Sequence, residues 1–461
     1  MRPAVPAGTC LVLAALCVPG LAVEPSAAPS PAVVHRQTVS APTAWASCSG
    51  DGESDREHLR QASEPAAAVD PRRTDRAIAV WMQDFSVAQP VARGVGSGAR
   101  WTEPQAPALS GCTGRAGSPF AVFDPQAAWS SDGSLLVSGV TAGVPSGIPV
   151  APLTDNPFVR EVVAARSTDG GRSFGPPVVL RSSGTEGVAV LDRDLLTADL
   201  TRPGIYWAAW TRIDGLGAGS AVEWARSGDG GRTWSPAAEL TRGLGGVVLG
   251  TGLVSVDDQP VALVVEAGPQ PAALAGAFVG GSTLAAYAPG GLLGWERRAT
   301  VAALPGFPET ASLAADPDGT LFAAWATGPT GTQVSRSHDG GRTWVEPVTV
   351  EAPGGAPEGA TVAAAADGSV AVLWYSGPSE ARTVRVALST DGGTSFPRSV
   401  LVDGPFDLAD TPATNGAGGR ALGDYFALLP QEEGWLAVYA TPPGPGDAGQ
   451  TGVVRAAAIR P

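Results

Sequence analysis

Four nearly identical octapeptides constrain the fold more than any other feature of this chain. They are Ser167-Thr-Asp-Gly-Gly-Arg-Ser-Phe174, Ser227-Gly-Asp-Gly-Gly-Arg-Thr-Trp234, Ser337-His-Asp-Gly-Gly-Arg-Thr-Trp344 and Ser389-Thr-Asp-Gly-Gly-Thr-Ser-Phe396. All fit Ser-x-Asp-Gly-Gly-x-Thr/Ser-Trp/Phe, which is the chemistry of a tight hairpin turn. The carboxylates of Asp169, Asp229, Asp339 and Asp391 can fold back onto backbone N–H groups. The Gly pair supplies positive φ without a steric penalty, and the aromatic re-enters the sheet as an apolar anchor. Four equivalent aspartates cannot share one active site, so the motif reads as a structural turn. A recurring turn implies a recurring fold unit.

Between the octapeptides lie short apolar runs bounded by Asp-Gly turns, with almost no helical periodicity, so the 461 residues read as all-β. Gly at 61 and Pro at 42 fit a turn-rich folded protein. The formal charge is −14, and all 30 basic residues are Arg. Such a balance argues against a nucleic-acid partner, which needs a basic face, and against docking on anionic lipid.

A strand–turn–strand unit recurs seven times along the chain. Glu64–Asp70 leads to Ala77–Trp81, Asp124–Trp129 to Leu135–Gly139, Leu195–Asp199 to Ile205–Trp210, and Leu253–Asp257 to Val261–Val265. Ala311–Ala315 leads to Leu321–Trp325, Thr361–Ala365 to Val370–Trp374, and Tyr425–Leu429 to Trp435–Tyr439. Each copy but the last continues into a third strand, an octapeptide position and a fourth strand. The octapeptide is degraded to Gly96–Trp101 in the first copy and to Pro289–Trp295 in the fourth. Four antiparallel strands per unit, repeated this often, predict a β-propeller of seven blades, with six as the alternative. The last copy lacks a fourth strand, and residues 32–40 are a spare strand that closes the ring. The Trp near the end of several second strands reads as blade-to-blade core. The single chain is expected to be a monomer.

Residues 1–22 read as a secretory signal peptide: Arg2, then the apolar run Leu11–Val18, then small residues at Gly20-Leu-Ala22. Leu16 stands where a lipoprotein anchored through Cys17 needs a small residue. Residues 23–45 form a Pro/Ala/Ser-rich linker with the closing strand, and residues 46–461 form the propeller. Residues 51–61 read as a short helix or a loop. Cys48 and Cys112 remain after the leader is removed, an even pair in an exported chain, and so predict a disulfide.

The octapeptides resemble the Asp-box (BNR) repeat of sialidases and related propellers. The resemblance covers most of the mature chain as architecture and the boxes as motif. It implies a secreted glycoside hydrolase acting on, or binding, glycans where the inner strands begin, opposite the boxes. A sialidase would add a Phe/Tyr-Arg-Ile-Pro motif, three arginines for the substrate carboxylate, an Asp acid/base and a Tyr–Glu nucleophile pair. No such Arg-Ile-Pro occurs here. The inner-strand starts supply Asp194, Glu309 and Tyr425 as catalytic candidates. Glu64, Asp124, Arg193, Glu358, Arg420 and Asp424 are substrate-binding candidates. The same carboxylates could instead cap strand ends, form a solvated rim or hold a cation such as calcium. With Arg193 and Arg420 as the arginines in view, an acidic mouth predicts little or no turnover of an anionic sialoside. The second reading is a non-catalytic extracellular propeller that binds a glycan, a protein or a cation. Three His residues, with no His/Cys cluster, give no zinc signature, and no Gly-x-Ser-x-Gly elbow, phosphate loop or dinucleotide fingerprint stands in context.

Overall fold

The computed structural model describes residues 31–42, 44–45, 48, 59–84, 87–143, 159–183, 190–214, 219–241, 244, 246–268, 280–290, 294–306, 308, 310–352, 354–412 and 422–461. The expected leader at 1–22 and residues 51–58 of the charged stretch lie outside them.

The chain forms seven four-stranded antiparallel sheets, each pairing its strands in sequence order except the last. These are the blades of a seven-bladed propeller. Their inner strands are Ala62–Asp70, Ala121–Trp129, Val190–Ala198, Val247–Val256, Ala311–Ala315, Glu358–Ala364 and Ala427–Gln431, here blades 1 to 7. In blade 7 the fourth strand is Ala32–Thr38, which pairs with Val453–Arg460 and so joins the two ends of the chain. Gln37 Nε2 donates to the carbonyl of Gly98 at 2.6 Å, tying this strand to blade 1 as well.

The core explains why the sheets form a ring. Seven hydrophobic clusters are each shared by two adjacent blades, including one that joins blade 7 back to blade 1 through Trp81, Leu436 and Val438. Each sheet therefore has two apolar faces, which only a closed stack can bury. Trp81, Trp210, Trp325 and Trp374 are at most 1% exposed. Each sits near the end of a second strand against the neighbouring blade, and losing such a side chain from a core costs about 3–5 kcal/mol. Ala, Val and Leu dominate the inner strands, where the blades converge.

The octapeptide turns join third and fourth strands, at the end of the propeller opposite the inner-strand starts. In the turn at Asp339, Oδ1 accepts from the N–H groups of Arg342 at 3.0 Å and Thr343 at 2.9 Å. Oδ2 accepts from the Thr343 hydroxyl at 2.6 Å, and the Ser337 hydroxyl donates to Oδ1 at 2.8 Å. Gly340 and Gly341 have φ of 69° and 81°. Asp169, Asp229 and Asp391 make the same bonds. The Thr343 hydroxyl, more than any other group, holds the Asp339 carboxyl down at about 2. Cys48 and Cys112 form a disulfide across 64 positions.

Candidate functional site

The inner strands begin earlier than their hydrophobic pattern implies. Glu64, Asp124 and Arg193 lie inside strands, at a shared irregularity. In blades 1, 2, 3 and 6, two inner-strand residues three apart face second-strand residues only two apart. Blade 4 has a comparable skip at Gly250–Gly252. This is a β-bulge, which inserts one residue, bends the strand and re-aims a side chain. The extra residue is left-handed: φ is 51° at Glu64, 55° at Asp124, 50° at Arg193 and 62° at Gly359. Pro65 and Pro125 are tolerated because a bulge leaves a backbone position outside the ladder. Glycine at 359 adopts this conformation freely, but the three charged residues do not. Non-glycine residues held in sparsely populated backbone regions cost on the order of 1–3 kcal/mol each and concentrate at functional sites. Here three consecutive blades spend that strain at the same depth, on charged side chains.

The bulges bring together residues far apart in sequence. Arg193 pairs through Nη2 with Asp424 of blade 7, and its guanidinium lies 5.8 Å from the centre of the Tyr425 ring. The Arg193 backbone N–H donates to Asp124 Oδ2 at 2.6 Å and to Asp192 Oδ1 at 3.2 Å. Tyr425 donates its hydroxyl to Asp124 Oδ1 at 3.3 Å. The Asp424 N–H donates to Glu64 Oε1 at 3.4 Å, and Thr310 Oγ1 donates to the Asp424 carbonyl at 2.6 Å. Arg193 and Tyr425 also line a cavity of about 330 Å³ down the propeller axis, walled by residues from all seven blades.

Burial dominates the electrostatics. It pushes the Glu64 carboxyl up to about 8, and the nearby Asp424 charge adds to the effect. Asp124 lies well above the usual carboxylate range through burial, then through the charges of Asp192 and Glu64. Burial opposes the Arg193 charge but is outweighed by Asp424, Tyr425, Asp192 and Asp124, which hold the guanidinium firmly protonated. Burial, then the Asp124 charge, keeps the Tyr425 phenol neutral. At neutral pH the cluster thus contains carboxylic acids as well as carboxylates. Protonated acids donate hydrogen bonds and can act as general acids.

The remaining candidates separate. Asp194 is 1% exposed and reaches back to blade 2, where Ser138 Oγ donates to its Oδ2 at 2.5 Å; burial raises it to about 8. It supports the bulge from behind instead of lining the mouth. Glu358 pairs with Arg382 at 2.8 Å beside the cluster. Glu309 and Arg420 lie outside the described residues. Two arginines escaped the sequence reading, which had only Arg193 and Arg420 in view. Arg160 reaches the carbonyl of Leu191 at 3.0 Å and lies 5.2 Å from the Phe123 ring centre, close enough to feel the charges of Asp192 and Asp124. Arg382 is the other. Both sit in third strands, Val159–Ser167 and Arg382–Ser389, where an arginine amid β-branched residues looks like an ordinary strand face. No sequence signal distinguishes them. Among the described residues, no group of three or more His, Cys, Asp or Glu side chains is arranged to hold a metal ion. No helix among them is long and apolar enough to cross a membrane.

No known protein family and no curated protein matches the chain by sequence. Solved structures do match it in shape. A protein of unknown function from Dyadobacter fermentans superposes with a TM-score of 0.51 at 14% identity, covering 94% of this chain and 99% of that one. A Hadza microbial sialidase matches at 0.49 and 16% identity, over 77% and 71% of the two chains. An α-L-arabinanase from Penicillium chrysogenum, in complex with arabinobiose, matches at 0.46 and 13% identity, over 75% and 94%. The first shares the fold along nearly its whole length, and the weaker two add nothing to that.

Proposed function

We infer that this is an exported Asp-box propeller whose inner-strand mouth binds the end of a neutral glycan, without classical sialidase catalysis. One observation carries the reading: among the described residues, the arginines near the mouth are already engaged by the protein. Arg193 is held by Asp424 and stacked on Tyr425, Arg160 bonds a main-chain carbonyl, and Arg382 pairs with Glu358. A sialoside carboxylate would have to compete for them among Asp and Glu side chains. Sugar hydroxyls suit the surface better, since carboxylates accept and protonated acids donate hydrogen bonds to them. The Asp boxes, four turns satisfied internally, serve the fold. The residue 1–22 leader and the disulfide support export, since such bonds persist in oxidising compartments.

A hydrolytic version of the reading is favoured by Glu64. A buried carboxyl titrating near 8 has the protonation state of a general acid at neutral pH, and glycosidases pair such an acid with a second carboxylate. Asp424, paired with Arg193, would be that partner. The test is a glycan array on the protein purified from medium, carrying neutral and sialylated ligands, with released sugar monitored. Binding of neutral ligands, lost in Asp124→Asn and Tyr425→Phe, supports the reading. Robust release of sialic acid abolished by either change would overturn it.

A further inference from the structure

Three cavities share walls on this face. The axial cavity includes Thr310 and Phe426 in its lining. The same two residues border a small cavity of about 20 Å³, together with Asp424, Glu358 and Gly359. Glu358 and Gly359 in turn border an outer cavity of about 360 Å³ between blades 5 and 6. The three cavities thus follow one another through shared wall residues, and the outer one falls within the usual ligand-pocket range of about 300–1,000 Å³.

The wall of that outer chamber is built. Arg382 is 7% exposed, donates from Nη1 to the Ala356 carbonyl at 2.9 Å, and pairs through Nη2 with Glu358 Oε2 at 2.8 Å. Its Nε is buried without a hydrogen-bond partner among the described residues. Glu358 stands at the junction of the small and the outer chambers, with its side chain 30% exposed. A fixed carboxylate–guanidinium pair presents an acceptor and donors side by side, which matches the vicinal hydroxyls of a sugar ring. The pair is neutral as a unit, so it favours an uncharged ring. Ala326, Pro329 and Pro357 supply apolar wall for the ring's C–H face.

We propose that the Glu358–Arg382 chamber is a second sugar subsite, so that the protein recognises neutral oligosaccharides of two or more units. The inference rests on the glycan reading of the mouth. The first unit lies at Asp124, Arg193 and Tyr425, and the chain passes Asp424 to place its second unit against Glu358 and Arg382.

Gly306 and Gly328 line the outer chamber, and a Cβ added at either meets nothing within 4 Å. Gly306→Phe and Gly328→Phe should therefore fill the chamber while the fold holds, as unchanged melting temperatures would verify. The probes are labelled mono-, di- and trisaccharides of arabinose, galactose, glucose, mannose and xylose. For whichever sugar binds, the disaccharide should bind at least tenfold more tightly than the monosaccharide. Both Phe variants should erase that gain and leave monosaccharide affinity unchanged, and Glu358→Gln should weaken the disaccharide. A disaccharide gain that is absent, or that survives both Phe variants, overturns the second subsite while leaving the mouth intact. Binding by none of the probes, or binding indifferent to Asp124→Asn, overturns the reading of the mouth and this inference with it.

Discussion

Replacing Arg193 with Gln should destabilise the protein by an amount that grows with pH. The substitution keeps the left-handed backbone strain, since both residues carry a Cβ, and removes the guanidinium that Asp424 grips. Unit charges about 4 Å apart attract by roughly 4 kcal/mol at an effective dielectric near 20. The Asp424 side chain keeps 47% exposure, so water recovers about half of that, and the net loss should be about 2 kcal/mol in mild acid. The pH dependence comes from Glu64, which titrates at about 8 against 4.5 for the free group; Arg193 pulls the folded value down. Removing Arg193 raises it further. A raised acid loses stability as pH climbs from its unfolded value through its folded one, because the folded state retains a proton the unfolded state has released. Native protein and variant therefore lose together up to about pH 8, after which only the variant continues, at about 1.4 kcal/mol per further unit of displacement. Urea denaturation near pH 5, 7 and 9 measures this. A deficit larger by about 1 kcal/mol near pH 9 than near pH 5 is expected. A deficit that is constant, or that shrinks with pH, would refute the electrostatic account of the cluster.

Three further outcomes follow from the frame around the site. Asp339→Ala strips two turn N–H groups and two hydroxyls of their acceptor and should cost about 1–3 kcal/mol without touching glycan affinity; loss of binding at unchanged stability would contradict the structural role of the boxes. Cys48→Ser opens a loop spanning 64 positions and should cost about 4 kcal/mol on the chain-entropy estimate; two free thiols in peptides mapped from exported protein would refute the bond. Deleting residues 31–38 uncovers the edge at Val453–Arg460 and removes the Arg36–Asp403 ion pair. The melting temperature should fall and aggregation should appear at that edge, whereas an unchanged melting temperature would show that the ring does not need its closing strand.

Much of the fold was legible because it is repetitive. The Asp-Gly-Gly turns mark where third strands end, and counting the units between them gives seven blades. The missing strand after Ile459 and the spare one at Ala32 could be matched because a sheet edge must be covered. The cluster at the mouth was legible only as a column of charges. Glu64-Pro65 and Asp124-Pro125 look like strand beginnings, since charge and proline both disfavour a ladder; in fact they are bulges within strands. Only Gly359 announces positive φ by its residue type, and at the three charged positions the conformation is imposed by the blades around them. The contacts themselves were out of reach: Arg193 and Asp424 are 231 positions apart, and Tyr425 and Asp124 are 301. Nor does periodicity reveal that Arg160 and Arg382 turn inward from third strands.

The central claim is that the mouth takes a neutral glycan end because Arg193, Arg160 and Arg382 are already occupied. The most direct measurement is calorimetric titration of the purified protein with one oligosaccharide in two forms, uncapped and capped with a terminal sialic acid. The account predicts heat and saturation with the uncapped form, loss of that binding in Asp124→Asn, and no binding of the capped form. Preferential binding of the sialylated form, abolished by Arg193→Gln, would contradict it.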